Sequence, residues 1–335
     1  MTEFPAAPSA RLPGGAGSMV TLDIVNGGVT VAGRVLVPWP EIRDAVAGLG
    51  LDVDLFTGEA PGPDGLDDVV FFTVPYDQPF GTEPLTRMPD VQVVQALTAG
   101  YDHLLGLLPA GTVLCNARGL HDSSTAEHAL ALILAAQREL PRWTRAQDER
   151  RWDHTHTRSL AGSRVVIAGH GSIGAALGER LRACEADVAA VARRARPGVH
   201  AVEDLDSLLP SADIVVLVTP LTPDTAGLLD ARRLALLPDG ALVVNVGRGP
   251  VLDTGAMLAE AAAGRLRAAL DVTDPEPLPA DHPLWACPGV IITPHVAGGA
   301  AAFYPLAARF VADQLRRFTA GEPLANVVAG GGASR

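Results

Sequence analysis

The sequence has no lysine: all 26 of its basic residues are arginine. Schiff-base chemistry, pyridoxal-phosphate catalysis and the GxxxxGK[ST] phosphate loop all need a lysine amine, so none of them can run on this chain. Cysteine is nearly as scarce. Cys115, Cys184 and Cys287 are odd in number and lack CxxC spacing, so neither a disulfide framework nor a cysteine zinc site is expected. No metal site is expected, and a reducing cytoplasm is the expected compartment. Long apolar runs are also missing. The longest, residues 129–136, falls well short of the roughly 20 residues that span a bilayer. Arginine is outnumbered by 38 acidic residues, and a net charge of -12 repels polyphosphate backbones and anionic lipid, so nucleic acid and membrane surfaces are not expected partners.

The 335 residues, 48% of them hydrophobic, are too many for one small core and suit two folded domains. Residues 1–18 are rich in Pro, Ala, Gly and Ser without periodicity and read as a flexible tail, as do residues 326–335. From residue 22 on, short β-rich runs at 22–25, 53–56, 69–72, 91–96 and 113–115 alternate with helical stretches, the pattern of a parallel α/β sheet. Asp122, Ser123 and Ser124 offer N-caps for a helix reaching about residue 138. A second set of runs, at 165–168, 188–191, 214–218, 242–246, 268–272 and 290–292, predicts a second parallel sheet. An amphipathic helix near 303–318 ends the pattern at Gly321 and Pro323.

The second set opens on Val165-Val166-Ile167-Ala168-Gly169-His170-Gly171-Ser172-Ile173-Gly174, a buried strand leading into G-x-G-x-x-G and a helix. Gly169 permits the tight turn, Gly171 lets backbone approach a pyrophosphate, and Gly174 allows close helix-to-strand packing. Alone the motif is only a glycine-rich turn; between a strand and a helix it predicts dinucleotide binding. An acidic residue normally follows some twenty residues on, where it holds the ribose 2′-hydroxyl. Here Val191-Ala192-Arg193-Arg194-Ala195-Arg196 puts Ala192 at that place and guanidinium groups beside it. Arg193 and Arg194 therefore point to the 2′-phosphate of NADP(H), with NAD(H) as the lesser choice.

Three polar residues follow three successive β-rich runs: Arg248 in Asn245-Val246-Gly247-Arg248-Gly249, Glu276 in Asp271-Val272-Thr273-Asp274-Pro275-Glu276-Pro277, and His295 in Thr293-Pro294-His295. The carboxyl ends of strands form the ligand crevice of an open α/β sheet, so the three can converge. Hydride delivery to a carbonyl leaves charge on oxygen and needs an acid near neutral pH, which a histidine beside a carboxylate supplies. An arginine can fork onto a substrate carboxylate. Each also has a plain structural use: a helix cap, a surface loop, a hydrogen-bonded core histidine.

In this order, and with Thr219-Pro220-Leu221-Thr222 between them, the motifs resemble those of the D-isomer-specific 2-hydroxyacid dehydrogenase family, and the resemblance runs from about residue 20 to 325. It implies two Rossmann-like or flavodoxin-like α/β domains with parallel sheets and an active site in the cleft between them. Residues 121–299 would form the dinucleotide domain, and residues 19–120 with 300–325 the substrate domain. It implies that Arg248 binds and polarises the substrate, that Glu276 supports the protonated imidazole, and that His295 exchanges the proton. The amides of Ala99 and Gly100 would receive the substrate carboxylate. Ser172 and Ile173 would meet the pyrophosphate and Asp271 the nicotinamide carboxamide, with further contacts at Thr219, Thr225 and Val246. Ala192 departs from the aspartate of NAD-using members.

The expectation is a 2-oxo acid reductase acting on a small acid of the glyoxylate or hydroxypyruvate type, assembled as a homodimer through its dinucleotide domain, with residues 143–152 adding aromatic surface. Other readings stay open on the sequence. A relative could act on a different small anion such as phosphite, or serve as a non-catalytic dinucleotide-sensing binding protein. A Rossmann-like methyltransferase would use the glycine loop but leave Arg248, Glu276 and His295 without a task.

Overall fold

Residues 22–25 and 28–330 are described by the computed structural model. The expected tail at 1–18 lies outside them. The chain divides into two compact units, Met1–Ala117 with Ala307–Arg335, and Arg118–Leu306.

The first strands, β1 (Leu22–Val25) and β2 (Gly28–Val31), form an antiparallel pair of their own. This corrects the expectation that residues 22–25 open the parallel sheet. That place belongs to β3 (Arg34–Val37), whose Val35, Leu36 and Val37 are fully buried. Pro40 then starts α1 (Pro40–Ala45), a first-turn position where its missing N–H costs nothing. Strands β4 (Asp52–Leu55), β5 (Val69–Thr73), β6 (Val93–Gln95) and β7 (Val113–Cys115) complete this part of the first unit.

The second unit begins with α2 (Asp122–Gln137) and α3 (Leu140–Asp148). The N-cap of α2 is His121, so the expected capping by Asp122, Ser123 or Ser124 is corrected. Asp122 and Ser123 accept hydrogen bonds from Ser172 and Arg180. There follow β8 (Arg164–Ala168), α4 (Ser172–Ala183), β9 (Asp187–Ala192), β10 (His200–Ala201), α5 (Leu205–Leu208), β11 (Ile214–Leu217), α6 (Ala231–Leu234), β12 (Leu242–Asn245), α7 (Thr254–Ala262), β13 (Arg267–Leu270) and β14 (Val290–Ile292). All six pairings are parallel, in the order β10-β9-β8-β11-β12-β13-β14. The order reverses between β8 and β11, the switch point at which such sheets bind ligands. Both faces of the sheet are covered. Val165, Ile167, Val216 and Val244 pack under α2 and α4, while Val166, Val215, Leu217 and Val243 pack with Leu205, Leu234 and Met257 on the other side. Two buried faces are why these strands read as unbroken apolar runs.

The chain ends its described part with α8 (Phe303–Thr319) and β15 (Val327–Ala329). β15 pairs antiparallel with β7, giving the first unit a sheet of order β15-β7-β6-β5-β3-β4. The expected C-terminal tail from 326 is therefore corrected: residues 327–329 are strand, and Gly330 lies so close to Thr112 that a Cβ there would stand 2.1 Å from its carbonyl oxygen. Within this unit Gln314 of α8, only 1% exposed, donates to Gln95 Oε1 (2.8 Å) and exchanges bonds with the backbone of Ala325. Phe318 of α8 packs on Phe71 of β5, ring centres 5.4 Å apart. A fully buried aromatic of this kind contributes about 1.5–3 kcal/mol. Among the described residues no helix is long and apolar enough to cross a membrane.

Candidate active site

At the end of β8 the glycine loop has the shape its sequence requires. Gly169 adopts φ +115, and a Cβ there would meet the Val218 carbonyl at 2.6 Å. Gly174 touches the Gly169 carbonyl, where a Cβ would approach to 2.0 Å, whereas Gly171 faces open space. No side chain caps α4, so its first amides, from Ser172 and Ile173 on, are available to an anion with the helix dipole behind them. The Ser172 hydroxyl is turned to Asp122 Oδ1 (2.8 Å), so its offer to the loop is its backbone N–H. Beside the loop, the buried Thr219 Oγ1 has no hydrogen-bond partner, an orphan that a polar ligand would satisfy. These features fit a dinucleotide. Val246 is buried with its N–H on Leu217 O. Thr225 spends its hydroxyl within its own loop, donating to Pro220 O (2.7 Å) and accepting from Thr222 N (2.8 Å).

At the tip of β9, Arg193 and Arg194 are exposed. Arg196, to which sequence reasoning gave no separate role, is the one held in place. Its backbone closes a Pro197-Gly198 turn with Val199, and its Nη2 donates to His170 O (2.6 Å) and lies 3.0 Å from His170 Nδ1. The guanidinium therefore rests on the glycine loop itself. Burial, then the charges of Arg196 and Arg182, hold His170 below the ordinary histidine range and favour the neutral ring that accepts this bond.

The loops after β12, β13 and β14 carry the three polar residues. Asn245, fully buried, accepts from Gly247 N through Oδ1 (3.1 Å) and donates to Arg248 O through Nδ2 (3.0 Å), shaping the turn that presents Arg248. The Arg248 guanidinium donates to Gly247 O (2.9 Å). Gly249 abuts Thr273, where a Cβ would lie 1.9 Å from the carbonyl oxygen, so the Arg248 loop packs directly against the loop leading to Glu276. His295 Nδ1 is 2.5 Å from Glu276 Oε1, with side chains 48% and 39% exposed. Glu276 can only accept when ionised, so Nδ1 carries the proton and Nε2 is left to face a reactant. His295 has φ +53, a left-handed conformation that an L residue keeps only when its surroundings hold it, and its N–H donates to Asp271 O (2.8 Å). The Asp271 carboxylate accepts from Thr293 Oγ1 (2.6 Å), Val296 N (3.0 Å) and Ala297 N (3.0 Å). Oδ2 receives only the last of these, which leaves it a lone pair for a further donor.

In the first unit, the loop after β6 is tied by its carbonyls. Asn116 Nδ2 donates to Ala99 O (2.7 Å), Thr98 Oγ1 to Gly100 O (2.6 Å) and Ala117 N to Thr98 O (2.9 Å). The amides of Ala99 and Gly100 make no hydrogen bond among the described residues. They are therefore two backbone donors left to meet an acceptor.

Comparison with known proteins agrees with this geometry. Residues 130–297 match the model of the D-isomer specific 2-hydroxyacid dehydrogenase NAD binding domain. The chain belongs to the D-isomer specific 2-hydroxyacid dehydrogenase family. This dehydrogenase is thus an NAD(P)-dependent oxidoreductase, and the two parallel α/β sheets expected from its sequence are borne out. It resembles a solved D-isomer specific 2-hydroxyacid dehydrogenase from Xanthobacter autotrophicus Py2 in complex with NADPH and MES, at 34% identity over 89% of this chain and 98% of that one, TM-score 0.75. An NADPH-dependent glyoxylate/hydroxypyruvate reductase from Sinorhizobium meliloti, in complex with NADP and sulfate, is similar at 28% identity over 88% and 98% of the chains, TM-score 0.76. Among curated relatives, D-3-phosphoglycerate dehydrogenase of Archaeoglobus fulgidus is 30% identical over 88% of this chain but 59% of its own length. The chain thus spans little more than half of that relative.

Proposed function

We propose that this dehydrogenase reduces a small 2-oxo acid of the glyoxylate or hydroxypyruvate type, with NADPH as the preferred cofactor. The observation that carries the reading is the 2.5 Å pair between His295 and Glu276 on the loops beside Arg248. The amides of Ala99 and Gly100 receive the substrate carboxylate, and Arg248 forks onto its carboxylate and carbonyl oxygens. The bound nicotinamide supplies the hydride. As charge develops on the substrate oxygen, His295 delivers the Nε2 proton, and Glu276 steadies the imidazolium before transfer and the Nδ1–H tautomer after it. In the oxidative direction the neutral ring takes the proton back. The glycine loop, the first amides of α4, Thr219 and the Val246 backbone would hold the dinucleotide. Asp271 would meet the carboxamide with its remaining lone pair.

NADPH preference is supported by Ala192 at the tip of β9 and by Arg193, Arg194 and Arg196 around it. The relatives solved with NADPH or NADP support it too. Absorbance at 340 nm, followed with NADPH and with NADH against glyoxylate, hydroxypyruvate and 3-phosphohydroxypyruvate, tests both halves of the proposal. Consumption of NADPH with the first two is expected. Equal kcat/KM for both cofactors would remove the cofactor half, and turnover with none of the acids would remove the substrate half. A homodimer in a reducing cytoplasm completes the proposal, supported by three free cysteines and by exposed Leu134, Leu140 and Trp152 on and after α2 and α3. Light scattering should give twice the 34.7 kDa chain mass, and the single-chain mass would overturn it.

A further inference from the structure

The loop that carries His295 is braced from a third element. His128, on α2, places Nε2 3.0 Å from Thr293 Oγ1 and 3.3 Å from Asp271 Oδ1. Thr293 lies just past β14 and Asp271 just past β13, so three elements meet at one point. A proton count fixes the direction of the bond. The Thr293 hydroxyl has a single proton and spends it on Asp271 Oδ1, 2.6 Å away. Its oxygen can then only accept, which leaves Nε2 of His128 as the donor to Thr293 Oγ1, with Asp271 Oδ1 3.3 Å from the same nitrogen. The Asp271 carboxylate accepts from Thr293, Val296 N and Ala297 N, and His128 stands beside it at ion-pair distance. Its side chain is 1% exposed, so water does not take their place. Two of the three donors are amides of the residues directly after His295, and the carbonyl of Asp271 accepts the His295 N–H.

We infer that His128 is a positioning residue for hydride transfer, acting through Thr293 and Asp271 to keep His295 in the left-handed conformation that sets Nδ1 on Glu276. This rests on the reading of His295 as the acid. It assigns a task to a residue on α2 that touches no reactant, on the same helix whose Asp122 receives the Ser172 hydroxyl of the glycine loop. One helix thus contacts both the loop that meets the cofactor and the loop that carries the acid.

The test compares His128→Leu, which removes the donor, with His128→Gln, which keeps an N–H at nearly the same place. His128→Leu should lower kcat for reduction about tenfold or more, with substrate KM and NADPH Kd within about threefold, because an acid held off its line costs rate more than binding. It should also move the fall of the reductive rate to lower pH, as a weakened Glu276 contact would. His128→Gln should restore both to within about threefold of the parent. Amide hydrogen exchange at Val296 and Ala297 should quicken in His128→Leu and not in His128→Gln, a readout that does not depend on which residue is the acid. Unchanged exchange and unchanged kcat in a folded His128→Leu protein would overturn the inference. So would a His128→Gln protein as impaired as the leucine variant. If exchange responds as expected while His295→Ala keeps full turnover, the brace stands as a structural fact and its catalytic purpose falls with the acid assignment.

Discussion

The two units are both α/β sheets built chiefly on parallel pairings, yet they are closed in opposite ways. The second is built from one uninterrupted stretch, its seven strands all parallel, with buried side chains on both faces. The first borrows its edge strand from more than two hundred residues away, β15 running antiparallel on β7, and seals the junction with buried amides of Gln95 and Gln314. Their offers to a ligand differ too. The loop after β6 presents backbone amides, whereas the loops after β12, β13 and β14 present an arginine, a carboxylate and an imidazole. The titratable side chains stand on the unit whose loops are anchored by short-range packing such as Gly249 on Thr273. The loop after β6 on the other unit offers backbone alone.

Substitutions on each side test that division. The largest effect is expected from His295→Ala, which should cost roughly 100-fold to 10,000-fold in kcat, the usual worth of a positioned acid, while NADPH affinity changes little. Intact turnover in this variant would falsify the assignment. Next comes Arg196→Ala in the same unit. Loss of a charge-assisted phosphate contact should weaken NADPH about tenfold or more, roughly 1.5–3 kcal/mol, with a much smaller change for NADH, measured by titrating cofactor fluorescence. Equal loss for both cofactors would mean that Arg196 supports the loop and not the phosphate.

In the first unit, Gln314→Leu leaves Gln95 Oε1 and the Ala325 peptide without their buried partner and should lower stability by about 1–3 kcal/mol in a urea titration. A loss near zero would show that β15 is held by its strand pairing alone. The smallest effect concerns acid. Bonds from Arg232, then Arg233, hold the Asp206 carboxyl down to about 2. Because the folded value lies below the ordinary one, the stability it contributes is complete above about pH 4 and is lost as pH falls toward 2. The side chain is 41% exposed, so screening limits this to about 1 kcal/mol or less. Asp206→Asn should flatten that part of the stability curve, and an unchanged curve would assign the loss to other carboxylates.

The same contrast explains what could be read beforehand. In the second unit, burial on both faces turns strands such as Ile214–Leu217 into apolar runs, and six of the seven strands are legible in this way, the two-residue β10 (His200–Ala201) being the exception. In the first unit, Leu22–Val25 looked like an opening strand because β content and length cannot reveal that its partner is the neighbouring Gly28–Val31. β3 is compressed between Gly33 and Pro38, and β15 is three residues long with a partner far off in sequence. At the site, the residue types of the glycine loop and of Arg248, Glu276 and His295 signalled chemistry directly. Arg196 on His170 and His128 on Thr293 did not, since the first depends on where a Pro-Gly turn aims a side chain and the second joins positions 165 residues apart.

The return of β15 to β7 also sets an order of assembly on the ribosome. Residues 118–306 can complete their sheet as soon as they have emerged, because every strand of it is already present. The earlier strands β3 to β7 must wait, with the edge of β7 open, until residues 307–329 bring most of α8 and all of β15 back to them. The part made first is the part finished last, and for that interval the nascent chain exposes the kind of unpaired strand edge that chaperones recognise.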